Sequence, residues 1–230
     1  MFFDPLYIAM FIPAFFLSIY AQIKVKSSYH TYSKIPTVRG VTGAQAARHL
    51  LDAEGITDVQ VELTQGFLSD HYDPRSRVLR LSEGVYAGDS LASVGVAAHE
   101  AGHAIQHARG YAPMRLRSAL VPMASIGSNF SWILLIIGFI LASKAMISAG
   151  LLFFTAVVLF QIVTLPVEFN ASSRALKALP AAGILSDSEV AGARKVLSAA
   201  ALTYVAAAAA AIMQLIYFLM RAGFLGGRDE

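Results

Sequence analysis

The sequence contains no cysteine, and only 14% of its 230 residues are charged. The absence of cysteine excludes disulfide bonds, cysteine-ligated zinc or iron–sulfur clusters, and a cysteine nucleophile. Any metal site must therefore use histidine, aspartate or glutamate. An average soluble domain has about 25% charged residues, whereas 56% of this chain is hydrophobic. The shortage of charge predicts a membrane protein.

Basic residues exceed acidic ones by a net charge of +3, and the pI is near 9.2. They do not form basic runs interleaved with aromatic residues, as a nucleic-acid surface would require. We therefore expect a lipid bilayer, and no nucleic acid, as a partner of the basic loops. The sequence does not indicate the oligomeric state.

Four segments are long and apolar enough to cross a bilayer core, which takes about 20 helical residues. These predicted spans cover residues 5–23, 119–142, 146–165 and 199–220. The connection between the second and third is so short that they must form an antiparallel hairpin. The first span lacks a positively charged start and a cleavage site, so it is predicted to be an uncleaved anchor. The expected fold is a mainly α membrane protein, with residues 1–230 as one membrane-integrated domain.

The polar residues fall into two stretches, 27–118 and 166–198, which we expect to lie outside the membrane. Together, the two stretches carry most of the basic residues. If the chain crosses the membrane four times, they lie on the same side of it. The positive-inside tendency then places them in the cytoplasm and both termini outside. A bacterial plasma membrane is the expected location.

The longer polar stretch has the pattern of a small α+β region. Thr42 and Gly55 are typical of the start and end of a helix. Alternating apolar residues over 59–63 and 78–81 predict two strands, which we expect to pair as a β-hairpin. From Ser90 through residue 107 the pattern becomes helical again.

This second helix contains His99, Glu100 and His103 as an H-E-x-x-H motif. Residues four apart share one helix face, so the two imidazoles can bind one zinc ion while Glu100 acts as catalytic base. The alternative is that the three are ordinary polar residues of an amphipathic helix. The apolar, small-sided neighbours argue against it, because burying these groups without a metal would be costly.

A catalytic zinc ion needs a third protein ligand and an open position. His107 continues the spacing of His99 and His103. However, side chains on successive helical turns are about 6 Å apart, so three of them in a row are too widely spaced to bind one ion. Its alternative role is a histidine near the helix C-terminal carbonyls. Glu168 follows the third span, and the hairpin returns it to the side of the histidines. Its alternative role is anchoring a helix at the membrane interface.

The chain resembles the neutral zinc metallopeptidases of bacterial membranes. Four blocks carry the resemblance in order, at residues 70–74, 79–82, 99–104 and 165–172. The resemblance implies a zincin-like, gluzincin-type peptidase with one zinc ion. The expected function is a membrane zinc metalloendopeptidase acting on a peptide or membrane-protein substrate. The alternatives are a membrane metal carrier and an inactive zinc-binding adaptor.

The last block is also similar to the third-ligand helix of membrane proteases that include the CAAX prenyl protease. That helix has an aspartate, which orients a zinc-ligating histidine, where this chain has Ser172. The resemblance implies that Ser172 or Asn170 takes this role, or that Asp70 or Asp73 supplies the carboxylate.

Zincins bind the substrate backbone along an edge strand, and the segment 78–81 is the predicted edge. His71, Tyr72 or Arg174 could stabilise the oxyanion opposite the zinc. The alternatives are turn residues for His71 and Tyr72, and a lipid-headgroup or carboxylate partner for Arg174.

Overall fold

The structure, a computed structural model, describes residues 4–225. Over these residues the chain is mainly helical, with a small mixed sheet. The helices and strands, in chain order, are α1 Pro5–Tyr32, α2 Gly43–Ala53, β1 Gln60–Thr64, β2 His71–Asp73, β3 Val78–Ser82, α3 Glu83–Tyr86, α4 Leu91–Ala108, α5 Ala112–Ile140, α6 Lys144–Ala181 and α7 Asp187–Arg221.

The chain divides into two compact units, and the long helices contribute to both. The membrane unit contains residues up to Tyr20, Arg115–Leu165 and residues from Thr203 onward. The polar unit contains Ala21–Met114 and Pro166–Leu202. The prediction of a single domain remains a prediction.

Within residues 4–225, four helices are long and apolar enough to cross a membrane, namely α1, α5, α6 and α7. This agrees with the four predicted spans, although each helix extends beyond its apolar stretch. In the membrane unit, large side chains such as Phe16, Ile140 and Leu152 are exposed. An apolar surface of this extent is unfavourable in water and suited to lipid.

The predicted antiparallel hairpin is formed by α5 and α6. They are joined by three residues, 141–143. Gly127 of α5 lies against Phe153 of α6, and Leu135 of α5 lies against Gly150. As the residue number increases along α5, the number of the residue it contacts on α6 decreases. The two helices therefore run in opposite directions. Glycine at such contacts lets membrane helices approach closely.

The sheet of the polar unit corrects two predictions. In the described part of the chain it has the order β1-β3-β2, with β1 parallel and β2 antiparallel to β3. The predicted hairpin between segments 59–63 and 78–81 is therefore wrong. The antiparallel partner of β3 is the short strand β2, which reaches it through a tight turn after Asp73.

The second correction concerns the predicted edge strand. β3 is the central strand, and four of its five residues are buried. All five of its residues pair with β1, and residues 78–80 also pair with β2. A substrate cannot add to segment 78–81, so that expectation is wrong.

The core of the polar unit forms where α2 packs against α4. Both helices begin with a capping side chain, and of the two only the Thr42 cap was predicted. The Thr42 hydroxyl accepts a hydrogen bond from the Gln45 N–H at 3.3 Å, and the Ser90 hydroxyl accepts one from the Ser93 N–H at 3.1 Å. Such caps satisfy N–H groups that a helix leaves unpaired. Gly55 follows α2 with a φ of 72°, which suits a glycine after a helix C-terminus.

Candidate metal centre

Three of the predicted site residues meet in the polar unit. His99 and His103 lie on α4, and Glu168 lies on α6. The Oε2 atom of Glu168 is 3.2 Å from the Nε2 atom of His99 and 3.5 Å from that of His103. The two imidazole rings are edge to face, with centroids 4.7 Å apart. The structure thus brings two imidazoles and one carboxylate together.

A close approach between α4 and α6 makes this meeting possible. Gly102 lies against Ala171, and a Cβ atom at position 102 would be 2.7 Å from the Ala171 carbonyl oxygen. Only glycine leaves room for the backbone of α6 there. The glycine inside the H-E-x-x-H motif therefore places Glu168 near the histidines.

The donor set fits a zinc ion. The three candidate ligand atoms all lie within 4.8 Å of one another. In a tetrahedral site with zinc–ligand bonds of about 2.0–2.2 Å, ligand atoms are separated by about 3.3–3.6 Å. The N···O distances of 3.2 and 3.5 Å are close to this separation. Three protein ligands also leave a fourth position, as catalytic zinc sites require.

Burial and charge act in opposite directions on His103. Burial lowers the pKa of His103, because a buried imidazolium loses its hydration. Burial is the largest single effect, but the hydrogen bonds with Glu168 and Gln106 and the negative charges of Glu100 and Glu168 together outweigh it and raise the pKa. The net result is a pKa above the ordinary 6.5. A metal must therefore compete with a proton for the imidazole of His103.

Each histidine has a hydrogen-bond partner on its other ring nitrogen. The Nδ1 atom of His99 is 3.0 Å from the Ser172 hydroxyl, and that of His103 is 3.1 Å from the Gln106 side-chain oxygen. Ser172, one of the residues expected to orient a ligand, thus contacts His99. Gln106 was missed by the sequence analysis. Its position three residues after His103 places it on the same face of α4, but this spacing alone does not assign it a role.

Asp70 and Asp73 bind elsewhere, so the expectation that either orients a histidine is wrong. The Asp70 carboxylate accepts hydrogen bonds from the N–H and hydroxyl of Ser82. The Asp73 carboxylate accepts hydrogen bonds from the Arg75 N–H and the Ser76 hydroxyl. Both stabilise the loops around β2.

The other candidates have local partners. The Nδ1 atom of His107 is 2.8 Å from the Tyr72 hydroxyl, so His107 joins α4 to β2 and stands apart from the three clustered ligands. His71 is exposed, and its Nδ1 atom lies 2.8 Å from the Ser69 carbonyl oxygen. Arg174 donates from Nε to the Asn170 side-chain oxygen at 2.8 Å. In the described part of the chain, none of these side chains hydrogen-bonds to His99 or His103, and their predicted oxyanion role stays a prediction.

Glu100 and Glu168 are both buried. Glu168 is 2% exposed, which disfavours its alternative role as an interfacial anchor. Glu100 is 8% exposed and lies between the two histidines in the motif. Its negative charge acts on His103, so it lies near the ligand cluster.

Comparison with known proteins matches this chain to a protein family and to a named relative. A protein-family model described as "Putative neutral zinc metallopeptidase" matches residues 7–223. A protein of Bacillus subtilis (strain 168), named "Putative membrane protease YugP", is 48% identical over 225 residues, which cover 98% of this chain and 99% of that protein. No solved structure gives a significant match.

Proposed function

Because this chain belongs to the family described as "Putative neutral zinc metallopeptidase", we propose that it is a membrane zinc endopeptidase that hydrolyses peptides or membrane proteins. The chain is an integral membrane protein, as its four apolar helices and its membrane-protease relative indicate. The single observation that supports the proposal is the convergence of His99, His103 and Glu168 beside the buried Glu100.

His99, His103 and Glu168 are proposed to hold one zinc ion. Zinc bound there would polarise the scissile carbonyl and lower the pKa of water toward about 7. Glu100 accepts the proton of the attacking water and delivers it to the leaving amine.

We place the active site at the cytoplasmic face of a bacterial plasma membrane. The polar stretches 27–118 and 166–198 carry most of the basic residues, which favour the cytoplasmic side. The relative from Bacillus subtilis supports a bacterial membrane as the setting. A reporter fused after residue 230 should then lie outside the cytoplasm.

Two variants test the metal and the base separately. Purified wild-type protein should contain one zinc per chain, and His103→Ala should lose it. Glu100→Ala should keep the zinc and lose hydrolysis of a labelled protein substrate by about 100- to 10,000-fold, the usual contribution of a general base. His49→Ala is the matched control, because His49 is an exposed histidine on α2.

The same variants distinguish the alternative functions. A metal carrier or an inactive adaptor would not depend on Glu100, so Glu100→Ala would leave transport or scaffolding intact. Hydrolysis by Glu100→Ala at the wild-type rate, or zinc retained at wild-type affinity by His103→Ala, would overturn the proposal.

A further inference from the structure

A chain of hydrogen bonds leads from Arg174 to the imidazole of His103. The Nε atom of Arg174 donates to the Asn170 side-chain oxygen at 2.8 Å. The Gln106 side-chain nitrogen donates to the same oxygen at 3.0 Å and to the Val167 carbonyl at 2.8 Å. The Gln106 side-chain oxygen is 3.1 Å from Nδ1 of His103. Gln106 itself is fully buried.

Arg174 and the Val167 carbonyl together fix the direction of the bonds in this chain. A guanidinium can only donate, so the Asn170 atom that faces it must be the amide oxygen. That oxygen and the Val167 carbonyl can only accept, so Gln106 must turn its amide nitrogen toward both. The Gln106 oxygen is then left facing His103.

This arrangement determines where a neutral His103 carries its proton. The Gln106 oxygen can only accept, so Nδ1 of His103 must hold the hydrogen. The lone pair of the neutral imidazole is then on Nε2, the atom nearest Glu168. His99 differs, because the Ser172 hydroxyl beside its Nδ1 can either donate or accept.

We propose that Arg174 is a positioning residue for the metal centre, acting through Asn170 and Gln106 to hold His103 in the tautomer whose Nε2 binds zinc. The proposal rests on the proposed function, because it takes His103 as a zinc ligand. It assigns Arg174 a role within the polar unit in place of an oxyanion or lipid-headgroup contact.

The test measures zinc binding by the full-length protein in detergent, by competition with a chromogenic chelator. Loss of a side chain that orients a zinc-ligating histidine typically weakens affinity 10- to 100-fold, and we expect this for Gln106→Met. Arg174→Met should weaken zinc binding severalfold. Lys177→Met is the matched control, since it removes an exposed positive charge from the same helix, and it should bind zinc like the wild type.

The double variant tests whether Arg174 acts through Gln106. If it does, Arg174→Met/Gln106→Met should bind zinc no more weakly than Gln106→Met alone. Asn170→Asp keeps an accepting oxygen and should bind zinc like the wild type, whereas Asn170→Leu should match Arg174→Met. The absorption spectrum of the cobalt-substituted protein should change in Arg174→Met and stay unchanged in Lys177→Met. A general loss of stability would not alter the spectrum of the bound cobalt, so a changed spectrum indicates a changed metal centre.

Three outcomes would overturn this inference while leaving the proposed function intact. They are wild-type zinc affinity in Arg174→Met, independent multiplication of the two effects in the double variant, and equal affinities of Asn170→Asp and Asn170→Leu. A wild-type protein that binds no zinc would instead overturn the proposed function. If Gln106→Met does not fold, the Asn170 pair and the cobalt spectrum still decide the question.

Discussion

Replacing Gly102 by alanine would place a methyl group against the backbone of α6. The new Cβ atom would be 2.7 Å from the Ala171 carbonyl oxygen and 3.2 Å from the carbonyl carbon and Cα of that residue. Nonbonded heavy atoms are most stable about 3.5–4.0 Å apart, so α6 must recede by roughly 0.5–1 Å. Because the obstacle is backbone, no side-chain rotation can relieve the contact.

The effect on stability should be small, and the effect on the metal large. Overpacking costs about 1–3 kcal/mol, while alanine in place of glycine in a helix returns about 1 kcal/mol. Glu168 lies three residues before Ala171 on α6, so it moves with the displaced backbone. Metal–ligand distances tolerate only about 0.2 Å, and we therefore expect zinc affinity to fall by about tenfold or more.

Gly95→Ala is the matched control in the same helix. It gives the same gain in helix propensity, but its Cβ would be 3.3 Å from the Ala193 side chain, which requires only a small adjustment. Chelator competition measures zinc affinity, and urea unfolding in detergent micelles measures stability. If Gly102→Ala binds zinc within twofold of the wild type and of Gly95→Ala, the close approach does not position Glu168.

Two further substitutions test neighbouring contacts. Ser172→Ala removes the 3.0 Å partner of His99 and should weaken zinc binding by about tenfold in the same competition assay, whereas Ser172→Thr keeps the hydroxyl and should not. Tyr72→Phe removes the hydroxyl that contacts His107 and should lower the free energy of unfolding by about 1 kcal/mol, measured by urea unfolding, with unchanged zinc content. Zinc loss in Tyr72→Phe would return His107 to the candidate ligands.

The sequence could predict the four apolar helices and the meeting of His99, His103 and Glu168. Hydropathy over about 20 residues is a strong signal, and the four-residue spacing of the histidines fixes a shared helix face within one element. The position of Glu168 followed from the short connection between two spans, which leaves only an antiparallel hairpin. These inferences needed no knowledge of packing between distant segments.

The strand pairing and the role of Gln106 could not be predicted in this way. Alternation over residues 59–63 identifies a strand without naming its partner, and the three residues of β2 are too few to show a period. Gln106 resembles any polar residue of a helix until α6 is packed beside it. Its role depends on Asn170, which lies 64 residues later in the chain.

The ligands of the candidate metal centre come from opposite sides of the α5–α6 hairpin in the sequence. During synthesis His99 and His103 leave the ribosome before α5, whereas Glu168 follows only after the apolar part of α6. A nascent chain that has not yet completed both apolar helices therefore carries two of the three ligands. Assembly of the full set of candidate ligands is thus tied to translation of the hairpin, so the proposed peptidase activity would be confined to chains that have completed both apolar helices.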